Sequence, residues 1–220
     1  MTDLDAAEWA LPDRVRVRLA TESDSVDGAL VADERGRVTG FKSPARQRQF
    51  ALGRLAVRSL VGDVLGVRAL DVPLRVAEDG APEVPGLVVS IAHTGREGSV
   101  SAVAAVGARS LGVDLERIAP RRHDLSRRIL RPDEREVLDA LGGPTDETQT
   151  LLWALKEAVL KAQRTGLRAG ARSVRLELYA DGAPPDRGAA AAVSGAGAWT
   201  LTYGRLGDLW LAVAYEKQTR

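Results

Sequence analysis

Apolar residues recur along this chain at two periods, and the changes from one to the other predict its elements. Val15-Arg16-Val17-Arg18-Leu19 alternates at period two, the signature of a half-buried strand. From Pro44 to Leu65 the apolar positions Phe50, Leu52, Leu55, Ala56, Leu60 and Val61 fall at helical spacing, and Gly66 follows as a stop. Leu87–Ile91, Ser99–Val106 and Leu111–Glu116 predict three further strands, the last two joined by Gly107-Ala108-Arg109-Ser110 as a hairpin connection. Past Pro120 the period becomes helical over Asp124–Leu130, Asp133–Leu141 and Glu147–Arg164, with Pro132 and Gly142-Gly143-Pro144 as breaks and Gly166 and Gly170 as the end. Ser173–Tyr179, Trp199–Tyr203 and Leu209–Tyr215 alternate again as strands. Asp181–Ala198, rich in Ala, Gly and Pro, reads as a mobile loop.

Strand, long helix and strands therefore occur twice. This order predicts an α+β fold of two similar lobes, 1–114 and 115–220, with a ligand site at the seam. The 220 residues suffice for a real core, and 45% hydrophobic with 28% charged residues is ordinary for a globular protein. Only 4% are aromatic, so Ala, Val and Leu must fill that core. A net charge of +1 gives no global attraction to nucleic acid or membranes. No cysteine is present, which excludes a thiol nucleophile, a disulfide framework and a thiolate metal site. The acidic N-terminus has no apolar core of a signal peptide, and no apolar run approaches a membrane span, so a cytoplasmic protein is expected.

Two acidic segments carry the candidate chemistry. In Gly112-Val113-Asp114-Leu115-Glu116 the two acids leave one face of a strand. In Trp153-Ala154-Leu155-Lys156-Glu157-Ala158-Val159-Leu160-Lys161, Glu157 and Lys161 share one face of a helix. If the segments meet, three carboxylates and an ammonium converge, a set suited to Mg²⁺ holding a phosphate or pyrophosphate. Each segment also has an ordinary explanation: a solvated strand face, and an i,i+4 helix pair worth about 0.2–0.5 kcal/mol. His93, in Ser90-Ile91-Ala92-His93-Thr94-Gly95, suits either a local hydrogen bond or a phosphate oxygen. His123 reads as a surface residue. Arg35, Arg37, Lys42, Arg46, Arg48, Arg54 and Arg58 form a basic stretch leading into the first long helix, a solvated face from which one or two could grip a ribose phosphate. No phosphate loop, dinucleotide fingerprint, HExxH or GxSxG elbow is present.

Taken in order, Phe50-Ala51-Leu52-Gly53-Arg54, Gly80-Ala81-Pro82, Ser90-Ile91-Ala92-His93 and the two acidic segments resemble the Sfp-type 4′-phosphopantetheinyl transferases, over about residues 30 to 170. The resemblance implies a pseudo-twofold pair of α/β lobes with the active site in the cleft between them. It implies transfer of the phosphopantetheine arm of coenzyme A to a serine of an acyl or peptidyl carrier protein, with release of 3′,5′-ADP. Asp114, Glu116 and Glu157 would bind Mg²⁺ (or Mn²⁺), and Glu157 would be the general base. Lys161 would neutralise the pyrophosphate. His93, Arg46, Arg54 and Lys156 would contact coenzyme A, and Arg75 would supply the cation near the adenine that Gly80-Ala81-Pro82 lacks. The expected acceptor is an acidic helical carrier domain, met by a monomer through apolar and basic contacts beside the long helix. Two alternatives use the same residues: a Mg²⁺-dependent hydrolase of nucleotide pyrophosphates, and a non-catalytic module that binds coenzyme A or a carrier.

Overall fold

A computed structural model describes residues 1–120, 123–165, 169–178, 182–195 and 197–217. The chain divides into two compact units, Met1–Ala108 and Arg109–Arg220. Among the described residues no helix is long and apolar enough to cross a membrane.

In the N-terminal unit, β1 (Thr2–Asp3), β2 (Arg16–Thr21), β5 (Val88–Thr94) and β6 (Ser101–Gly107) form one antiparallel sheet in the order β1-β2-β6-β5. The short strands β3 (Arg75–Val76) and β4 (Pro82–Glu83) make a separate ribbon. Helix α1 (Ala32–Thr39), where the hydrophobic pattern gives no helical signal, precedes α2 (Pro44–Leu65). The sequence marks both ends of α2. The Ser43 hydroxyl accepts from the Arg46 amide, Pro44 sits at the first turn, and Gly66 closes the helix in the left-handed region at φ 69°. Leu52, Ala56, Val57, Leu60 and Val61 face a sheet surface of Ala20, Val89, Ala102, Ala104 and Val106. With small side chains on β6 the helix lies close to the sheet.

The C-terminal unit holds a five-stranded antiparallel sheet, β7-β11-β10-β9-β8. Its strands are β7 (Leu111–Arg117), β8 (Val174–Leu178), β9 (Arg187–Ser194), β10 (Gly197–Leu206) and β11 (Leu209–Glu216). Two short helices, α3 (Ser126–Ile129) and α4 (Arg135–Ala140), precede α5 (Asp146–Ala162). Thr145 caps α5 by accepting from the Thr148 amide, and Asp146 and Glu147 complement the positive end of its dipole. Leu151, Leu155, Ala158 and Val159 pack in one core with Tyr203 and Trp210, whose rings meet edge to face at 6.0 Å.

Three expectations are corrected. Residues 107–110 do not close a hairpin, because β6 and β7 belong to different sheets. The stretch 181–198 is not a loop throughout its described residues: β9 takes up half of them and pairs on both sides, with β8 and with β10. Its run of alanines is a weak strand former, and the pairing is set by its neighbours. Gly188, for example, lies under Tyr203, whose hydroxyl oxygen would be 2.4 Å from a Cβ there. The predicted helix at Asp124–Leu130 shrinks to the single turn Ser126–Ile129. Gly166, Tyr179 and Asp181 lie outside the described residues.

Candidate active site

Strand β7 is buried on both faces from Leu111 to Leu115, because α5 covers the face that carries its acids. Gly112 makes this contact possible. A Cβ on Gly112 would sit 2.1 Å from the Ala158 carbonyl oxygen and 2.4 Å from the Ala162 nitrogen. Only a residue without a side chain lets the helix backbone rest there. Replacing Gly112 with Ala must push α5 off β7, and we expect it to cost about 3 kcal/mol, the upper end for overpacked cores. Chemical denaturation would measure it, and a loss below about 1 kcal/mol would show that helix and strand can separate without penalty.

From this contact the side chains of helix and strand form a ladder. Trp153, Glu157 and Lys161 are four apart on α5, and Glu116, Asp114 and Gly112 are two apart on β7. The Trp153 indole N–H donates to Glu116 Oε1 at 3.0 Å. The Lys161 ammonium donates to Asp114 Oδ1 at 2.6 Å. Asp114 is only 4% exposed and Glu157 8%. A solvated strand face would leave these acids in water, so the ordinary explanation of the Asp-x-Glu pair fails here.

The electrostatics are unbalanced. Burial pushes the Glu157 carboxyl up to about 7, the nearby Asp114 charge adds to the rise, and Lys161 opposes it. Asp114 Oδ2 and Glu157 Oε1 are buried with no hydrogen-bond partner. Buried carboxylate oxygens of this kind are costly unless something satisfies them.

A divalent cation fits that need. Among the described residues no three Asp, Glu or His side chains form a ready metal cage. Mg²⁺ does not require one, since it takes one or two protein carboxylates and completes its shell with water and substrate phosphates. Asp114 and Glu157 each have an oxygen to give, and Glu116 is oriented by Trp153. Trp153→Phe removes that indole donor and should weaken Mg²⁺ affinity about tenfold, the lower end for loss of a ligand's hydrogen-bonded support. Titration of the metal by calorimetry tests this, and an unchanged affinity would remove Glu116 from the metal set.

The other expected site residues have varied placements. In the N-terminal unit, Arg46 Nη1 lies 2.7 Å from His93 Nε2, so these two are brought together. Arg46 also lies over the Phe41 ring and Arg54 over the Phe50 ring. Arg54 is held 3.0 Å from Glu34, which also binds Arg58, so one carboxylate answers two guanidiniums. Arg75 is exposed on β3. Lys156 requires a correction. Its ammonium is wholly buried and donates to both Glu134 oxygens at 2.7 and 2.8 Å and to the Val174 carbonyl at 2.6 Å. All three donors are used, and none is left for coenzyme A.

Gly112, Trp153 and Glu134 were not singled out by the sequence. The first two stand inside the acidic segments, where a glycine before the acids and an aromatic residue four before Glu157 were available signals. Glu134, in Pro132-Asp133-Glu134, gives none.

The acid pair has two unpartnered buried oxygens and a lysine beside it, a donor set that suits a cation. Comparison with known proteins shows what this part of the chain is similar to. Residues 110–212, which contain both acidic segments, match the 4′-phosphopantetheinyl transferase superfamily. A 4′-phosphopantetheinyl transferase of Bacillus subtilis is 27% identical over 168 residues, covering 74% of this chain and 73% of the relative. Sfp of Bacillus subtilis (strain 168) is 28% identical, covering 71% of this chain and 75% of the relative. HetI of Nostoc sp. (strain PCC 7120) is 31% identical, covering 63% and 61%. The chain is thus similar to 4′-phosphopantetheinyl transferases across both acidic segments.

Proposed function

We propose that this protein transfers the 4′-phosphopantetheine group of coenzyme A to a serine of an acyl or peptidyl carrier protein and releases 3′,5′-ADP. The observation that carries the reading is the pair of buried, unpartnered oxygens on Asp114 and Glu157, in a ladder that ends at Lys161. Asp114, Glu116 and Glu157 hold Mg²⁺ (with Mn²⁺ the alternative), and the ion supplies neutralisation of the pyrophosphate charge.

In this reading Glu157 is the general base. A positioned carboxylate can take the proton directly or through water. It takes the proton of the serine hydroxyl as the oxygen attacks the β-phosphorus of coenzyme A. The bond from that phosphorus to the bridging oxygen breaks, and 3′,5′-ADP leaves with the electron pair. Lys161, bonded to Asp114 in this structure, turns to the pyrophosphate and offsets the charge that develops. Phosphoryl transfer gains most from such positioning and neutralisation, with little covalent work for the protein. Arg46 and His93, side by side, contact a phosphate of coenzyme A, with Arg54 and Arg75 as further cations for the nucleotide. The reading includes a monomeric, cytoplasmic enzyme.

Intact-mass spectrometry of an apo carrier protein incubated with this protein, coenzyme A and Mg²⁺ tests the proposal. A gain of one phosphopantetheine mass that EDTA abolishes is expected. No gain across several carrier types, while coenzyme A still binds, would sink the transferase reading. Release of 3′,5′-ADP with no carrier present would replace it with hydrolysis.

A further inference from the structure

Arg46 is exposed in the first turn of α2, yet three neighbours hold its side chain. The guanidinium carbon lies 5.6 Å from the centre of the Phe41 ring. Nη1 lies 2.7 Å from His93 Nε2 and 3.3 Å from Gln49 Oε1. A guanidinium has donors and no acceptor, so Arg46 donates in both contacts. His93 Nε2 therefore carries no proton here, and while it accepts from Arg46 it cannot itself donate to a phosphate oxygen. The orientation of Gln49 is settled in the same way. Its amide nitrogen donates to the Gly95 carbonyl at 3.0 Å, which leaves Oε1 to face Arg46.

The two acceptors engage both protons of Nη1. Nε and Nη2 have no hydrogen-bond partner among the described residues. Together they form the planar fork that meets two oxygens of one phosphate. An exposed arginine ordinarily samples many rotamers, and fixing one costs side-chain entropy. Contacts that already restrict the side chain leave less freedom to lose on binding. They come from two elements of the N-terminal unit: Gln49 lies three residues on along α2, and His93 lies near the end of β5, opposite Ala102 of β6.

We propose that His93 and Gln49 are positioning residues for Arg46, and that the Nε–Nη2 edge of Arg46 grips a phosphate of coenzyme A. The inference rests on the nucleotide contact in the transferase reading above and divides the roles within the Arg46–His93 pair. The guanidinium bonds to the phosphate, and the imidazole acts through it.

Calorimetric titration of coenzyme A into the full chain, with no carrier present, tests this. Arg46→Met should raise Kd about tenfold, the lower end for a lost hydrogen bond to a charged group. His93→Phe and Gln49→Leu should each raise it about threefold, because the guanidinium stays and is no longer held. His93→Gln can still accept at the place of Nε2 and should bind close to wild type. With Arg46→Met already present, neither His93→Phe nor Gln49→Leu should weaken binding further, since residues that act through one group are not additive. In the transfer assay the loss should appear in the KM for coenzyme A and not in kcat, and melting temperatures control for folding. If His93→Phe weakens binding as much beside Arg46→Met as it does alone, the imidazole meets the phosphate itself and the inference is overturned. The same follows if His93→Gln binds as poorly as His93→Phe. Non-additive losses in a protein that transfers nothing uphold the positioning and remove the transferase. Transfer with additive losses removes the positioning alone, and no binding of coenzyme A by the wild type removes both.

Discussion

Glu157→Gln should lower the transfer rate by a factor of about 10²–10⁴, the usual worth of a positioned general base, and should make the metal-free protein more stable at neutral pH. The two effects have one cause. Glu157 is buried beside Asp114, and its carboxyl is pushed up to about 7 from an unfolded value of 4.5. Between those values the folded protein holds a proton that the unfolded chain has lost, so stability falls as pH rises through the window. The fall is of the order of 2–3 kcal/mol once the carboxylate is fully charged. Glutamine keeps the shape and cannot ionise, so the variant loses this dependence. Denaturation in EDTA at pH 5 and pH 8 should show wild type and variant close together at the lower pH and the variant ahead at the higher one. Parallel behaviour at both would mean that burial does not strain this carboxyl. Adding Mg²⁺ at pH 8 should reverse the order, because the wild type gains a ligand that the variant binds poorly.

How far the sequence could be read depends on whether a signal is local. Helix α2 was legible to the residue because Ser43-Pro44 and Gly66 mark its ends chemically. The ladder between β7 and α5 was legible in outline, since periods of two and four place Asp114 with Glu116 and Glu157 with Lys161 whatever surrounds them. That the two segments touch was not local information. It depends on Gly112, whose missing side chain matters only once α5 lies across it. Strand β9 was missed for a similar reason: alanines take their conformation from the flanking strands. Lys156 was misplaced because sequence adjacency suggested that it acts with Glu157. Successive residues on a helix point about 100° apart. The direction of Lys156 is set by Glu134, twenty-two positions away.

That buried pair carries the largest expected stability effect. Lys156→Met should cost about 3–5 kcal/mol, because it strands the Glu134 charge in the core. Glu134 is 1% exposed and also accepts from the backbone amides of Arg131 and Leu176, so it cannot turn to water without releasing the start of β8. A loss of that size is a large part of the 5–15 kcal/mol that holds a typical domain together. In the double variant E134Q/K156M the charge is gone, while the glutamine oxygen still serves a backbone amide. Most of the lost stability should then return, since replacing both members of a buried pair is often nearly neutral. The same protein tests what Lys156 does in catalysis. If the lysine only anchors α5, the restored double variant keeps the wild-type KM for coenzyme A. A KM that rises while stability is recovered would return Lys156 to the nucleotide site and show that the ion pair opens when substrate binds.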